Sequence, residues 1–142
     1  MSITSIKPYF RTQLNTLGLT EWDDGFADDN IPSTLIDGAY FQFINSVTGV
    51  QLNNNHLEMS VNHEVRVYFK GFRDPATAID ESVLKCEDII KAVANIVNQD
   101  GTDLKGVYLG NLTIEPLEAD NNDNIIRAIL TFDVRIFLCL DI

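Results

Sequence analysis

The side chains that most often supply imidazole, thiol or carboxylate chemistry in this 142-residue chain are 2 histidines, 2 cysteines and 21 carboxylates. His63 precedes Glu64, yet no second histidine follows at the spacing that would complete a helical zinc-protease pair. Both residues also fall in a two-residue alternation, which is the pattern of a strand. His56 and His63 are therefore expected to be hydrogen-bonded structural histidines and not general bases. Cys86 and Cys139 show neither close pairing nor metal-ligand spacing and read as buried free thiols. There is no glycine-rich phosphate loop and no Gly-x-Ser-x-Gly elbow. The carboxylates of Asp23, Asp24, Asp28 and Asp29 stand in adjacent pairs, without the alternating oxygen ligands and closing glutamate of a calcium loop. Solvated loop charge is the simpler account of them, with weak divalent-ion bridging between subunits as the alternative. No catalytic, cofactor-binding or metal-ligating residue is assigned, no cofactor is implied, and the chain is expected not to be an enzyme.

The elements that would position any site follow from apolar spacing. Ile3, Ile6, Phe10, Leu14 and Leu17 recur at steps of three and four and predict a helix, with Ser5 able to cap it and Gly18 to stop it. The pattern is lost across residues 19–38, an acidic stretch too long for an ordinary connection, in which Trp22 and Phe26 are expected to anchor the chain to the core. Strand character resumes at residues 39–47. Leu57, Met59, Val61, Val65, Val67 and Phe69 then alternate with polar residues, leaving His63 out of step on the apolar face. After Asp74 and Pro75, a cap and first-turn pair, Ile79, Val83, Cys86, Ile90, Val93 and Val97 predict a second helix. A strand over residues 107–117 pairs with a last one in which Ile126, Ala128, Leu130, Phe132, Val134, Ile136 and Leu138 face one way. Residues 120–123, Asp-Asn-Asn-Asp, suit the turn between them.

This order predicts one α+β domain over residues 1–142, a mostly antiparallel sheet with long hairpins packed against a central helix and an N-terminal helix. No apolar run approaches the roughly 18 residues of a membrane helix, and the first residues lack the basic start and apolar stretch of a secretory signal, so a cytoplasmic origin and no membrane partner are expected. A net charge of −11 argues against tight binding to a phosphate backbone. It is compatible with a wall past which DNA slides. A final strand of about 15 residues would extend ~50 Å, longer than the ~37 Å diameter of a compact chain of this size. Either it bends sharply within the domain, or one hairpin projects past the core and covers its apolar side chains on another molecule, and projection is the expectation.

The N-terminal helix with its acidic loop, the run from Asn30-Ile31-Pro32-Ser33 to Asp37-Gly38-Ala39-Tyr40 at the start of a strand, the long alternating strand, the central helix and the closing hairpin together resemble the tail terminator proteins of long-tailed bacteriophages. The resemblance spans nearly the whole chain. It implies a homo-oligomeric ring, usually a hexamer, in the virion tail after assembly in the host cytoplasm. Such a ring caps the tail tube protein, stops its polymerisation and meets the head–tail connector or neck protein, with DNA passing through the lumen without specific binding. Another tail or injection-machine component, such as a tube subunit or head-completion protein, is the alternative. The candidates for subunit contact are Tyr40, Phe41 and Phe43 on the short strand and Tyr68, Phe69 and Phe72 at the end of the long one, with burial in the core as the alternative for most of them. Tyr68→Asp is expected to dissociate the ring and spare the fold.

Overall fold

The computed structural model describes residues 3–22, 36–51, 53, 56–70, 75–94, 104–117 and 125–139. A short 3-10 turn at Ile3–Ser5 leads into α1 (Ile6–Thr16), followed by β1 (Thr20–Glu21), β2 (Ala39–Gln51), β3 (His56–Phe69), α2 (Pro75–Ala94), β4 (Leu104–Leu117) and β5 (Ile125–Cys139). The mixed α+β class and the mostly antiparallel sheet agree with the sequence reading. The expected turn at residues 120–123, most of the acidic loop with Phe26, and Phe72 lie outside the described residues.

The five strands lie in the order β1-β2-β3-β5-β4. β2 and β3 form one antiparallel hairpin, and β4 and β5 form the other. β5 slots between β3 and β4 and pairs with β3 along its whole length, from His56 opposite Cys139 to Phe69 opposite Ile126. This insertion makes β3 and β4 parallel, so α2 links two parallel strands across an intervening one. β1 is a two-residue parallel addition at the start of β2, with Thr20 opposite Ala39 and Glu21 opposite Tyr40.

Both helices cover the same side of the sheet. Ile6, Phe10 and Leu14 of α1 and Ala78, Cys86, Ile89 and Val93 of α2 join one core with Tyr40, Val61, Val65, Val67, Phe69 and the even-numbered residues of β5 from Ile126 to Ile136. The buried stripe of α2 includes Ala78 and Ile89 where Ile79 and Ile90 were expected, and the latter two are only partly covered. Ser82 lies in the same stripe, its hydroxyl satisfied by the Ala78 carbonyl at 2.7 Å. At the end of α1 the expected contact of Leu17 is absent: the side chain is exposed. Gly18 adopts φ +84° and bonds back to the Asn15 carbonyl at 3.0 Å, while Leu19 N reaches Leu14 O at 3.2 Å, closing the helix with a left-handed residue that glycine tolerates. Ser5 precedes α1 without a side-chain cap hydrogen bond.

The last strand is not the one that stands bare. The last strand is continuous, but its apolar face is covered by this chain's own helices and neighbouring strands, Ile126 through Ile136 being buried. What stands free is the far half of β2: residues 45–51 are all exposed, Val50 to 64%. Among the described residues, the surfaces left for assembly are that edge and the sheet's other side.

Candidate functional site: the open sheet face and its free edges

Among the described residues no helix packs on the second face of the sheet. Alternation places Glu58, Ser60, Asn62, Glu64, Arg66 and Tyr68 of β3 there, beside Ile125, Arg127, Ile129, Thr131, Asp133, Arg135 and Phe137 of β5. Three arginines are spread over this face, each held by a carboxylate. Arg66 bonds Glu64 at 2.5 Å, Arg127 pairs with Glu115, and Arg135 bonds Asp133 at 3.2 Å. Asp133 also accepts from Ser60. Two of the guanidinium groups lie over rings: Arg66 is 5.4 Å from the Phe43 centroid and Arg135 is 5.8 Å from that of Tyr108. The result is a face of aromatic and paired polar groups, a texture suited to contact with another protein surface.

The aromatic residues expected at subunit contacts are divided by strand alternation. Tyr40 and Phe69 point to the helix side and are wholly buried, Tyr40 donating its hydroxyl to Asn15 Oδ1 at 2.8 Å and Phe69 lying under the Lys85 ammonium. As folded, they offer nothing to a neighbour. Phe41, Phe43 and Tyr68 come together on the open face, with Phe41 stacked between the other two at 5.9 and 6.1 Å. A second small core of Ala39, Phe41, Tyr68 and Ile125 forms there, flanked by Trp22, Phe43 and Leu117. Within that cluster Tyr68 is completely covered and Phe43 is half-exposed. Trp22 thus anchors its segment to a core, as its position in the sequence suggested. Phe72 lies outside the described residues.

Which strands form the edges is what sequence reasoning did not identify. β1 covers β2 only opposite Ala39 and Tyr40, where Trp22 N also bonds Tyr40 O at 2.6 Å. Along residues 41–51 no described strand pairs with the outer side of β2, nor with the outer side of β4. An unpaired edge displays a row of backbone donors and acceptors, and proteins that stay apart defend such edges with charge, proline or bulges. β2 contains no charged residue at all, and residues 106–114 of β4 contain none. Exposed Val47 and Val50 lie on the first edge and exposed Tyr108 and Leu109 on the second. The available signal was the absence of Asp, Glu, Lys and Arg over 13 residues of strand in a chain of net charge −11.

Behind the start of the free β2 edge lies a buried polar relay. His63 Nε2 and Gln42 Oε1 are 2.8 Å apart, and Gln42 Nε2 donates to the Lys7 carbonyl at 3.1 Å and lies 3.5 Å from Glu21 Oε1. Glu21 in turn holds Arg11, whose hydrogen bond keeps that carboxyl below its usual range. His63 is thus structural, tucked against Phe10 with ring centroids 4.5 Å apart. Its Nδ1 has no partner among the described residues. Burial, with Lys7 nearby, pushes its imidazole down to about 4.

Because that value lies below the ordinary 6.5, the unfolded chain binds a proton that the folded chain refuses. Stability contributed by neutral His63 is complete above about pH 6.5 and falls towards pH 4, by ~3 kcal/mol in all. Urea midpoints measured from pH 7 to 4 should decline over this window and should decline less in His63→Gln. Loss of the Glu21–Arg11 pair belongs to the more acid limb, below the carboxyl's ordinary 4.5. A wild-type midpoint that stays constant down to pH 5 would exclude a buried neutral imidazole.

The remaining chemistry is muted. Burial pushes the Cys86 thiol up to about 12, which leaves it inert at neutral pH. Among the described residues no cluster of three His, Cys, Asp or Glu side chains could hold a metal ion, and no helix is long and apolar enough to cross a membrane. No protein-family model matches the chain, and no curated protein sequence matches it.

Proposed function

We propose that this chain is a structural subunit that joins copies of itself into a closed ring. Like the tail terminators it resembles, the ring would cap a tail tube, end its polymerisation and present its other side to the head–tail connector. One observation carries the assembly part of this reading: among the described residues a single sheet ends in two long edges with no strand paired to them, uncharged along residues 41–51 of β2 and 106–114 of β4. Self-repulsion at a net charge of −11 opposes association everywhere except through surfaces poor in charge, and these edges are such surfaces. Two different edges meeting make a head-to-tail contact, which yields a ring when the rotation per subunit closes and a filament when it does not. The terminator assignment within that class rests on the element order described above. No catalytic role and no cofactor form part of it, and DNA would traverse the lumen past an acidic wall without specific binding.

Light scattering on the purified protein, with negative-stain images, tests the proposal. The expected result is one closed oligomer, six subunits by the resemblance, with a central hole. Open filaments of indefinite length would favour a tube subunit in its place. A monomer that persists at high concentration would overturn the reading.

A further inference from the structure

We propose that the contact between subunits is a continuation of the sheet itself: residues 41–50 on the free edge of β2 pair antiparallel with residues 106–115 on the free edge of β4 in a second copy. This rests on the ring reading and adds to it which surfaces meet and in what register.

Direction comes first. β2 and β5 run one way and β3 and β4 the other, so the two edge strands are antiparallel when brought side by side. The Tyr40 carbonyl points outward, to Trp22, and by alternation the backbone groups of Gln42 and Ile44 also point outward. Register then follows from two irregularities. β2 carries an extra residue at Asn45, between Ile44 and Ser46, and β4 carries one at Gly110, between Leu109 and Asn111. An extra residue reverses which side chains face which side beyond it. Setting the two bulges against each other keeps helix-side residues opposite helix-side residues along the whole length. Gln42 then meets Ile114, Ile44 meets Leu112, Val47 meets Leu109 and Gly49 meets Val107 on the helix side. On the open face Phe43 meets Thr113, and Thr48 meets Tyr108.

Two independent features agree with this alignment. Pro116, which has no N–H to donate, falls opposite Tyr40, where β1 already occupies the edge. The pairing therefore stops on both strands at the same place. Glu115, which Arg127 holds in its own copy, falls opposite Phe41, beside the notch where Lys7 and the Arg11–Glu21 pair meet Trp22 and Phe43, so its carboxylate arrives near the Lys7 ammonium of the other copy. Val47, Val50, Tyr108 and Leu109, which a lone copy leaves exposed, all fall within the paired stretch. Apolar and aromatic pairs directly opposite one another across strands are the stabilising unit of such a ladder.

Cysteine pairs read the register directly. Thr48→Cys and Tyr108→Cys, each made with Cys139→Ser, put single thiols at exposed positions that face each other across the proposed contact. Oxidised together, the two variants should give about tenfold more covalent dimer than either alone, because a disulfide forms only where the Cα atoms lie within roughly 7 Å. Within one copy the two positions are separated by β3 and β5, about 14 Å at ordinary strand spacing, so a chain carrying both substitutions cannot close on itself. Such a chain should give a ladder of covalent multimers ending at the ring number. The same experiment with Thr48→Cys and Asn111→Cys, three residues out of register, should give none. Thr48→Cys cross-linking to itself would place β2 against β2 about a two-fold axis and overturn the inference. An oligomer of native size in which the matched pair stays uncross-linked would overturn the edge contact alone and leave a ring built through another surface. A persistent monomer would overturn the ring reading and the inference together.

Discussion

Val47→Lys should turn the assembled protein into a monomer without unfolding it. Val47 is 43% exposed and stands beyond the helix-covered part of the sheet, so the folded monomer loses little when it is replaced. Surface changes of this kind usually stay within about 0.5 kcal/mol. A lysine pointing inward on an edge strand is, however, the device by which natural sheets avoid one another. In the proposed register its ammonium would be covered by Leu109 of the next copy, with no carboxylate opposite. Covering an unpaired charge costs ~3 kcal/mol or more, which is on the order of a 100-fold loss of affinity at each contact. Sedimentation or light scattering across a concentration series, with circular dichroism to verify the fold, reads both consequences. Val47→Thr, uncharged and suited to a strand, should assemble normally. If Val47→Lys assembles as tightly as the parent, the β2 edge is not where copies meet.

Tyr68→Asp should unfold the protein, where the sequence alone suggested that it would only separate subunits. The ring of Tyr68 is fully buried on the open face, stacked on Phe41 at 6.1 Å and enclosed with Ala39 and Ile125. Replacing it removes a large packed ring and buries a carboxylate against Ala39 and Ile125, with Arg127 opposite already held by Glu115; loss of packing is among the mechanisms behind the largest single-residue losses. The expected cost is at least ~4 kcal/mol, or a fall in melting temperature on the order of 15 °C for a domain of this size. Phe43→Asp, made at the half-exposed end of the same stack, should cost markedly less. Thermal melts of the two variants side by side separate these outcomes. A Tyr68→Asp protein melting with the parent would show that the second core is not packed around that ring.

Both results turn on a distinction that residue type cannot make. Tyr40, Phe41 and Phe43 are neighbours in sequence, and so are Tyr68 and Phe69, yet each run is split between two faces by the period of the strand. The face carrying the helices could be identified from alternation, because Met59, Val61, Val65, Val67 and Phe69 share it with His63. That the other face would bury Tyr68 but leave Phe43 half-covered depends on Trp22 and Ile125, which arrive from distant parts of the chain. The arginines on that face were legible as polar alternation in β3 and β5. Their individual carboxylate partners were not, since Arg127 is held by Glu115 from the neighbouring strand.

The sequence by itself determined the local elements: two helices from steps of three and four, two long strands from steps of two, two further strands from residue type and pairing, the stop at Gly18, and a hydrogen-bonded His63 on the apolar face of a strand. These depend on periodicity and on the conformational limits of single residues, which are local properties. Only the tertiary structure decided that β5 inserts between β3 and β4, that β1 covers just the first residues of β2, and hence which strands become edges. Strand order is set by contacts between residues far apart in the chain, and one ordered list of strands is compatible with several sheets. Edges exist only once that order is chosen, which is why the uncharged run of β2 looked like any other strand until no described strand was found along its outer side.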